Sequence, residues 1–132
     1  TKIALVVRQH GLGLRCYAHI GTGNYHVKTA RLYTDVGLLT ADLAITTDIV
    51  NLFHYLTGHS KGPQFQKLLV APMNMRQRFL EMIEREAAHC GAGRTGRIIA
   101  KLNQVDDLEI ISALVAASRA GVKIDLIVRG FW

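Results

Sequence analysis

Apolar and polar residues follow two different patterns along the chain, and the change falls near residue 60. Residues 2–8 are apolar and rich in β-branched side chains, which predicts a strand that is buried on both faces. Residues 9–13 have the composition of a turn, and residues 14–20 predict the returning strand of a β-hairpin. Asp42 is a predicted N-cap, and the apolar spacing after it predicts an amphipathic helix that Gly58 ends.

Residues 21–42 have no clear period. Gly21, Gly23 and Asn24 tolerate backbone angles that most residues avoid. We therefore expect an ordered loop in this part of the chain, and not a linker.

The second pattern begins after the polar segment 59–66, which we take as the boundary between two domains. The following residues predict a strand at 67–71, a helix at 74–90, a strand at 97–102, a helix from Asp106 or Asp107 to Ala120, and a strand at 123–128. Strands that alternate with helices pair in parallel. The predicted fold is therefore α/β, with an N-terminal hairpin, a loop and a helix, followed by a β-α-β-α-β unit.

Composition describes a globular protein with an aliphatic core, since 49% of the 132 residues are hydrophobic and 20% are charged. No apolar run is long enough to predict a transmembrane segment. Both ends read as structure, and the first residue is Thr1, so we expect a piece excised from a longer protein. Cys16 and Cys90 lie far apart, which favours reduced thiols and a cytoplasmic protein.

The net charge of +6 favours a polyanionic partner without choosing among nucleic acid, anionic lipid and phosphate chains. A merely basic surface is the simpler alternative. A literal G-x-G-x-x-G at residues 91–96 follows a predicted helix and precedes a strand, which is the wrong order for a dinucleotide site. The histidines form no zinc signature, and no serine lies in a nucleophile elbow. No metal ligand is predicted in this chain.

Residues 16–35 are the densest in groups that bind anions. Residues 21–24 can form a nest of backbone N–H groups, Thr22 adds a hydroxyl, and Arg31 adds a bidentate fork for phosphate. Tyr33 offers an aromatic face, and His19, at the end of a strand, could project into a cleft. The alternative is an interior histidine beside glycines that only turn the chain. The chemistry alone leaves both hypotheses open.

Six segments together resemble the type 1 polyphosphate kinase family over nearly the whole chain. They are residues 17–26 (YAHIGTGNYH), 29–35 (TARLYTD), 38–42 (LLTAD), 67–72 (KLLVAP), 97–103 (RIIAKLN) and 121–130 (GVKIDLIVRG). The resemblance implies a transferase that moves the terminal phosphoryl group of ATP reversibly onto inorganic polyphosphate through a phosphohistidine. It also implies a phospholipase D-like fold, with the end of one such domain at residues 1–60 and the start of the next at residues 64–132.

The resemblance also implies roles for single residues. In the family the phosphorylated histidine directly precedes the Thr–Lys pair that opens this chain, so we expect the chain to lack that nucleophile and to be inactive alone. Lys2 matches the lysine of the family's H-x-K motif, and His19 matches a second histidine close to the phosphorylated one. Tyr33 and Arg129 match positions that contact the nucleotide. We add Arg31, Thr22 and Asn24 as candidate phosphate-binding residues.

The remaining implications concern partners. ATP, ADP and polyphosphate are the expected substrates, with Mg²⁺ bound by residues outside this chain and with a homo-oligomeric, cytoplasmic parent protein. Membrane association of the parent stays open, and nucleic acid is not expected as a partner. The chain departs from the family at Phe131 and Trp132, where the family has a cysteine-containing stretch. The rival hypotheses are a non-catalytic polyanion-binding module and a phospholipase D-like phosphodiesterase, although residues 3–7 lack the aspartate of a full H-x-K-x4-D motif.

Overall fold

A computed structural model of the chain describes residues 2–130. The departure at Phe131 and Trp132 therefore lies outside the described residues. The chain divides into two compact units between Leu68 and Leu69. Both units mix strands with helices, so the α/β prediction is confirmed.

The first unit contains a three-stranded antiparallel sheet in the order β1-β2-β3. Strands β1 (Ile3–His10) and β2 (Gly13–Gly21) form the predicted hairpin, and Gly11 at its tip has a φ of +62°. The segment that was expected to be a loop adds the short helix α1 (Val27–Ala30) and the strand β3 (Gly37–Thr40), which pairs with β2. The loop prediction missed both elements because four-residue elements carry too little periodicity to be recognised.

Helix α2 (Leu43–Leu56) covers one face of this sheet. The Asp42 side chain accepts a hydrogen bond of 3.0 Å from the backbone N–H of Ile45, which is the predicted N-cap. Gly58 follows the helix with a φ of +78°, which agrees with the prediction that this glycine ends the helix. Ile49 and Leu52 are buried in α2, and Ala18 is buried in β2. Most of β1 is exposed on its other face, so the prediction of a strand buried on both faces is wrong.

The second unit consists of α3 (Met75–Gly91), β4 (Arg97–Leu102), α4 (Leu108–Arg119) and β5 (Lys123–Val128). β4 and β5 pair in parallel, as predicted. Asp107 is the N-cap of α4, and Gly121 follows the helix with a φ of +97°. The core contains Ile83, Ala117 and Val122, and both helices pack around it.

The strand predicted at 67–71 does not form, so the second unit begins with α3 and the predicted β-α-β-α-β order is wrong in its first strand. The cause is the carboxylate of Asp48, which is 1% exposed in the middle of α2. It accepts hydrogen bonds from the backbone N–H groups of residues 66, 67 and 68, at 3.0, 2.6 and 2.9 Å. A carboxylate that accepts several backbone N–H groups satisfies them as a neighbouring strand would.

Candidate functional site

The register of the first sheet decides which side chains share a face. His19 pairs with Ala4 in β1 and with Leu39 in β3, and Gly21 pairs with Gly37. The backbone N–H of Gly21 donates to the carbonyl of Lys2 at 2.9 Å, which extends the same register by one pair. Side chains two residues apart lie on one face of a strand. Lys2 and His19 therefore lie on the face opposite to the buried Ala18, which α2 covers.

The imidazole of His19 occupies the space above two glycines. A Cβ atom on Gly37 would lie 2.5 Å from His19 Nε2, and one on Gly21 would lie 3.1 Å from His19 Cε1. Real Cβ atoms do not approach other atoms as closely as 2.5 Å, so a side chain at residue 37 would displace the ring or the strand. The pair Gly21–Gly37 thus leaves the space that the ring of the histidine occupies, which is a use of strand glycine for close approach.

Tyr25 holds the ring of His19 from the side. Its hydroxyl lies 2.6 Å from His19 Nδ1, and the two ring centroids are 5.6 Å apart with an interplanar angle of 50°. No role for Tyr25 was predicted from the sequence. Its position in the chain, six residues after His19, gives no signal of this contact, because the turn at residues 21–24 brings the two side chains together.

A second pair of side chains ties the turn to β3. The hydroxyl of Thr22 donates to Asp35 at 2.9 Å and accepts from the backbone N–H of Val36 at 3.0 Å. Asp35 lies so close to residue 23 that a Cβ there would be 2.5 Å from its carboxylate oxygen. Gly23 is therefore required by a close approach, and the single hydroxyl proton of Thr22 is used inside the loop. Asp35 is another residue to which the sequence analysis gave no role.

The predicted nest of N–H groups is wrong at its first two residues. The N–H of Gly21 donates to Lys2, and the N–H of Thr22 donates to the carbonyl of Val36 at 3.0 Å. None of Gly21, Gly23 and Asn24 has a positive φ, so the left-handed angles that a nest uses are absent. The glycines leave room for side chains instead of presenting amides.

The other predicted residues of the first unit lie in the segment that leads to β3. Asn24 precedes α1 and is exposed, and its carbonyl accepts from the backbone N–H of His26 at 2.8 Å. Arg31 is the C-cap of α1 and is exposed, and Tyr33 is 50% exposed. The role of these three side chains toward phosphate or nucleotide stays a prediction.

Arg129 belongs to the second unit, directly after β5. Its Nε donates to Asn103 Oδ1 at 2.9 Å, and its Nη2 also donates to this oxygen. Asn103 follows β4, and its carbonyl accepts from the backbone N–H of Gly130 at 2.8 Å. Arg129 is thus oriented at the carboxyl edge of a parallel pair of strands, which is where ligands bind in open α/β sheets.

The second unit also contains ion pairs and charged hydrogen bonds that do not involve Arg129. Arg76 lies 2.7 Å from Asp107 and 2.5 Å from Glu109. Its guanidinium lowers the pKa of the Asp107 carboxyl through a side-chain hydrogen bond, and the pKa of Arg76 is raised in return. The backbone N–H of Arg97 donates to Glu86 and lowers the pKa of that carboxyl.

The second unit also has an open, largely apolar groove of about 690 Å³ between α3, β4 and the start of α4. None of the predicted site residues lines it. The last glycine of the rejected G-x-G-x-x-G lies nearby, where a Cβ on Gly96 would be 2.5 Å from the carbonyl oxygen of Glu86. That glycine serves the packing of α3 against the chain before β4.

Residues 2–130 contain no group of three or more His, Cys, Asp and Glu side chains that could hold a metal ion. No helix in this part of the chain is both long and apolar enough to cross a membrane.

Comparison with known proteins identifies one kind of relative. Residues 1–62 match the family profile of polyphosphate kinase C-terminal domain 1, and residues 68–132 match that of polyphosphate kinase C-terminal domain 2. The chain is 62% identical to a polyphosphate kinase of Synechocystis over 130 residues, which are 98% of this chain and 18% of that protein. It is 50% identical to a polyphosphate kinase of Pseudomonas aeruginosa, with coverage of 98% and 19%.

A solved structure agrees with these matches. The crystal structure of polyphosphate kinase from Porphyromonas gingivalis resembles the chain with a TM-score of 0.89 and 39% identity. The match covers 99% of this chain and 20% of that one. The chain therefore spans about a fifth of the length of the relatives it matches.

Proposed function

Because this chain belongs to the polyphosphate kinase family, we propose that the protein transfers the terminal phosphoryl group of ATP to inorganic polyphosphate, in a reversible reaction. The activity is proposed for the protein as a whole, since the chain spans only 18% of the Synechocystis relative. In this proposal residues 1–60 end one phospholipase D-like domain and residues 64–132 begin the next.

The arrangement around His19 is the observation that carries the proposal. A histidine is held by Tyr25 at 2.6 Å above two glycines, on the sheet face that it shares with Lys2. The two glycines make room for the ring, and the hydrogen bond with Tyr25 fixes its orientation. Both features are expected where an imidazole must meet a phosphate group at close range.

We propose a transfer in two steps through a phosphohistidine. The imidazole of the histidine that precedes the Thr–Lys pair in the family attacks the terminal phosphorus of ATP, an N–P bond forms, and the bond to the ADP oxygen breaks. The terminal oxygen of polyphosphate then attacks the same phosphorus and the N–P bond breaks, which restores the histidine. Lys2 lies next to that position and neutralises phosphate charge in both steps.

The other predicted residues receive supporting roles. Arg129, oriented by Asn103, and Tyr33 contact the nucleotide. Arg31 and Asn24 contact phosphate oxygens, and Thr22 supports the loop through its bond to Asp35. Mg²⁺ accompanies the nucleotide in this proposal, but no step is assigned to it, because its ligands are expected outside this chain.

The test is the formation of polyphosphate from ATP by the complete translated protein and by its His19→Ala variant. Loss of a group that stabilises transition-state charge costs about 100-fold in kcat. The matched control is His54→Ala, which removes an exposed histidine from α2 and should leave kcat unchanged. ATP-dependent synthesis by the unsubstituted protein, with the loss confined to His19→Ala, supports the proposal.

Other outcomes contradict it. Tight binding of polyphosphate without any turnover of ATP would favour a non-catalytic polyanion-binding module. Hydrolysis of a phosphodiester without ATP would favour a phospholipase D-like phosphodiesterase. Equal kcat values for His19→Ala and the unsubstituted protein would remove His19 from the site.

A further inference from the structure

The orientation of His19 distinguishes its two ring nitrogens. Nδ1 faces the hydroxyl of Tyr25 at 2.6 Å, whereas Nε2 packs over Gly37, in the space that a Cβ atom there would fill. Among residues 2–130, no hydrogen-bonding group other than Tyr25 reaches this imidazole. Nε2 is therefore the ring nitrogen that has no protein partner among these residues.

The direction of the hydrogen bond with Tyr25 is coupled to the position of the ring proton. A neutral imidazole carries one N–H and one bare nitrogen, and the partner of one nitrogen sets the state of the other. The phenol of Tyr25 has one proton to donate, and within the described residues its hydroxyl bonds to His19 alone. Donation from this hydroxyl to Nδ1 leaves the ring proton on Nε2.

We propose that Tyr25 is a positioning residue, which donates to His19 Nδ1 and thereby fixes the ring with its Nε2–H directed at a phosphate oxygen. This inference rests on the proposed function for the identity of the ligand. It assigns His19 the task of a hydrogen-bond donor to the transferring phosphate, and not that of a general acid or base. In this state, loss of the Nε2 proton to the leaving oxygen would leave a negative charge on the imidazole or, after proton transfer to Nδ1, on Tyr25, and this charge disfavours a role as general acid.

The packing of His19 over the two glycines agrees with this assignment. Tyr25 is 60% exposed, so its contact with His19 is not forced by a packed core. The ring nevertheless adopts an orientation in which Nε2, and not a ring carbon, lies closest to the position that a Cβ atom on Gly37 would take. Because Tyr25 is exposed, water can replace this hydrogen bond at little cost in stability. Its effect is therefore to select one orientation of the ring.

Nitrogen NMR of the chain labelled with ¹⁵N-histidine tests the proton position. At pH 8.5 histidine is in its neutral form, and the His19→Ala variant identifies the resonances of His19 among the six histidines. We expect the proton on Nε2, and we expect the Nδ1 resonance to move downfield in Tyr25→Phe, because Nδ1 loses its donor. A proton on Nδ1, or an Nδ1 resonance that Tyr25→Phe leaves in place, would overturn the inference.

Kinetics of the complete translated protein supply the second measurement. One lost hydrogen bond to an orienting group corresponds to a fall of about fivefold in kcat for polyphosphate synthesis, with an unchanged KM for ATP. Tyr55→Phe removes a partly exposed phenol from α2 and should change neither constant. A rate equal to that of the unsubstituted protein, or a change confined to KM, would count against Tyr25.

The two proposals fail in different ways. If the unsubstituted protein makes no polyphosphate from ATP, the proposed function falls, while the resonances of His19 still decide whether Tyr25 holds Nδ1. If the kinase is active but the resonances do not respond to Tyr25→Phe, the positioning role falls alone.

Discussion

At the scale of single residues, the candidate site depends most on the absence of a Cβ atom at two glycines. Gly37 and Gly23 do not adopt left-handed backbone angles, so neither glycine is needed for a turn. They are needed because His19 and Asp35 occupy the positions where their Cβ atoms would lie. The residue pattern indicated the anion-binding segment 16–35 and His19, but it favoured a nest of N–H groups at the glycines. The sequence shows where the glycines lie. It does not show which side chains from other parts of the chain occupy the space next to them.

Gly37→Ala tests this account directly. The added methyl group would lie 2.5 Å from His19 Nε2, so the ring or β3 must move. We expect the free energy of unfolding to fall by about 1–3 kcal/mol, as in other overpacked sites, and kcat for polyphosphate synthesis to fall about as far as in His19→Ala, roughly 100-fold. Chemical denaturation and steady-state kinetics measure the two effects.

Gly13→Ala is the matched control for that variant. Gly13 lies in the same sheet, and a Cβ there has no neighbour within 4 Å. Its stability and activity should remain close to those of the unsubstituted protein. If Gly37→Ala behaved like Gly13→Ala, the ring of His19 would not occupy the space above residue 37.

At the scale of elements, capping residues were the most reliable signals in the sequence. Asp42 and Asp107 begin their helices as predicted, and Gly58 and Gly121 follow the ends of theirs with positive φ. These signals are local, because a cap and its N–H partners lie within three residues. The strand predicted at 67–71 failed because its backbone partner, Asp48, lies about 20 residues earlier in the chain. The hydrophobic period is read over 11 to 18 residues, which is too few to include both Asp48 and the N–H groups that it binds.

The N-cap of α4 gives a prediction about pH. Asp107 accepts from Arg76 and from the backbone N–H groups of Glu109 and Ile110, which lowers its pKa in the folded chain. A carboxyl with a lowered folded-state pKa stabilises the fold above its unfolded pKa and loses that contribution as the pH falls through the folded value. We therefore expect the unsubstituted chain to have a higher thermal midpoint than Asp107→Asn at pH 7, and we expect this difference to be smaller at pH 3, which lies below the unfolded pKa of about 3.9.

Asparagine is the informative substitution because it caps helices about as well as aspartate but carries no charge. Thermal unfolding at the two pH values measures the difference in midpoint. Asp106→Asn is the control, because it removes the charge of an exposed neighbouring residue. Its thermal midpoints at the two pH values should equal those of the unsubstituted chain. An Asp107→Asn deficit of equal size at pH 7 and pH 3 would show that the charge of Asp107 does not act in this way.

At the scale of the whole chain, the site residues divide between the two units. Lys2, His19 and Thr22 belong to the first unit, and Arg129 belongs to the second. The sequence placed the domain boundary at residues 59–66, whereas the compact units divide between Leu68 and Leu69. Asp48 explains why residues 66–68 belong with the first unit, since its buried carboxylate binds their N–H groups. The assignment of residues 1–60 and 64–132 to two phospholipase D-like domains stays a prediction.

This account of the boundary predicts how trypsin acts on two neighbouring lysines. Lys61 lies in an exposed segment without regular structure, a common site of proteolytic nicking. The N–H of Lys67 is bound by Asp48 at 2.6 Å, so cleavage there requires this bond to open first. Mass spectrometry of a short digest should therefore show cleavage after Lys61 before cleavage after Lys67.

Asp48→Ala removes the acceptor of this hydrogen bond. The ratio of Lys67 to Lys61 cleavage should then rise at least about tenfold. Asp106→Ala is the control and should leave the ratio unchanged. Early cleavage after Lys67 in the unsubstituted chain would mean that Asp48 does not hold this segment in solution.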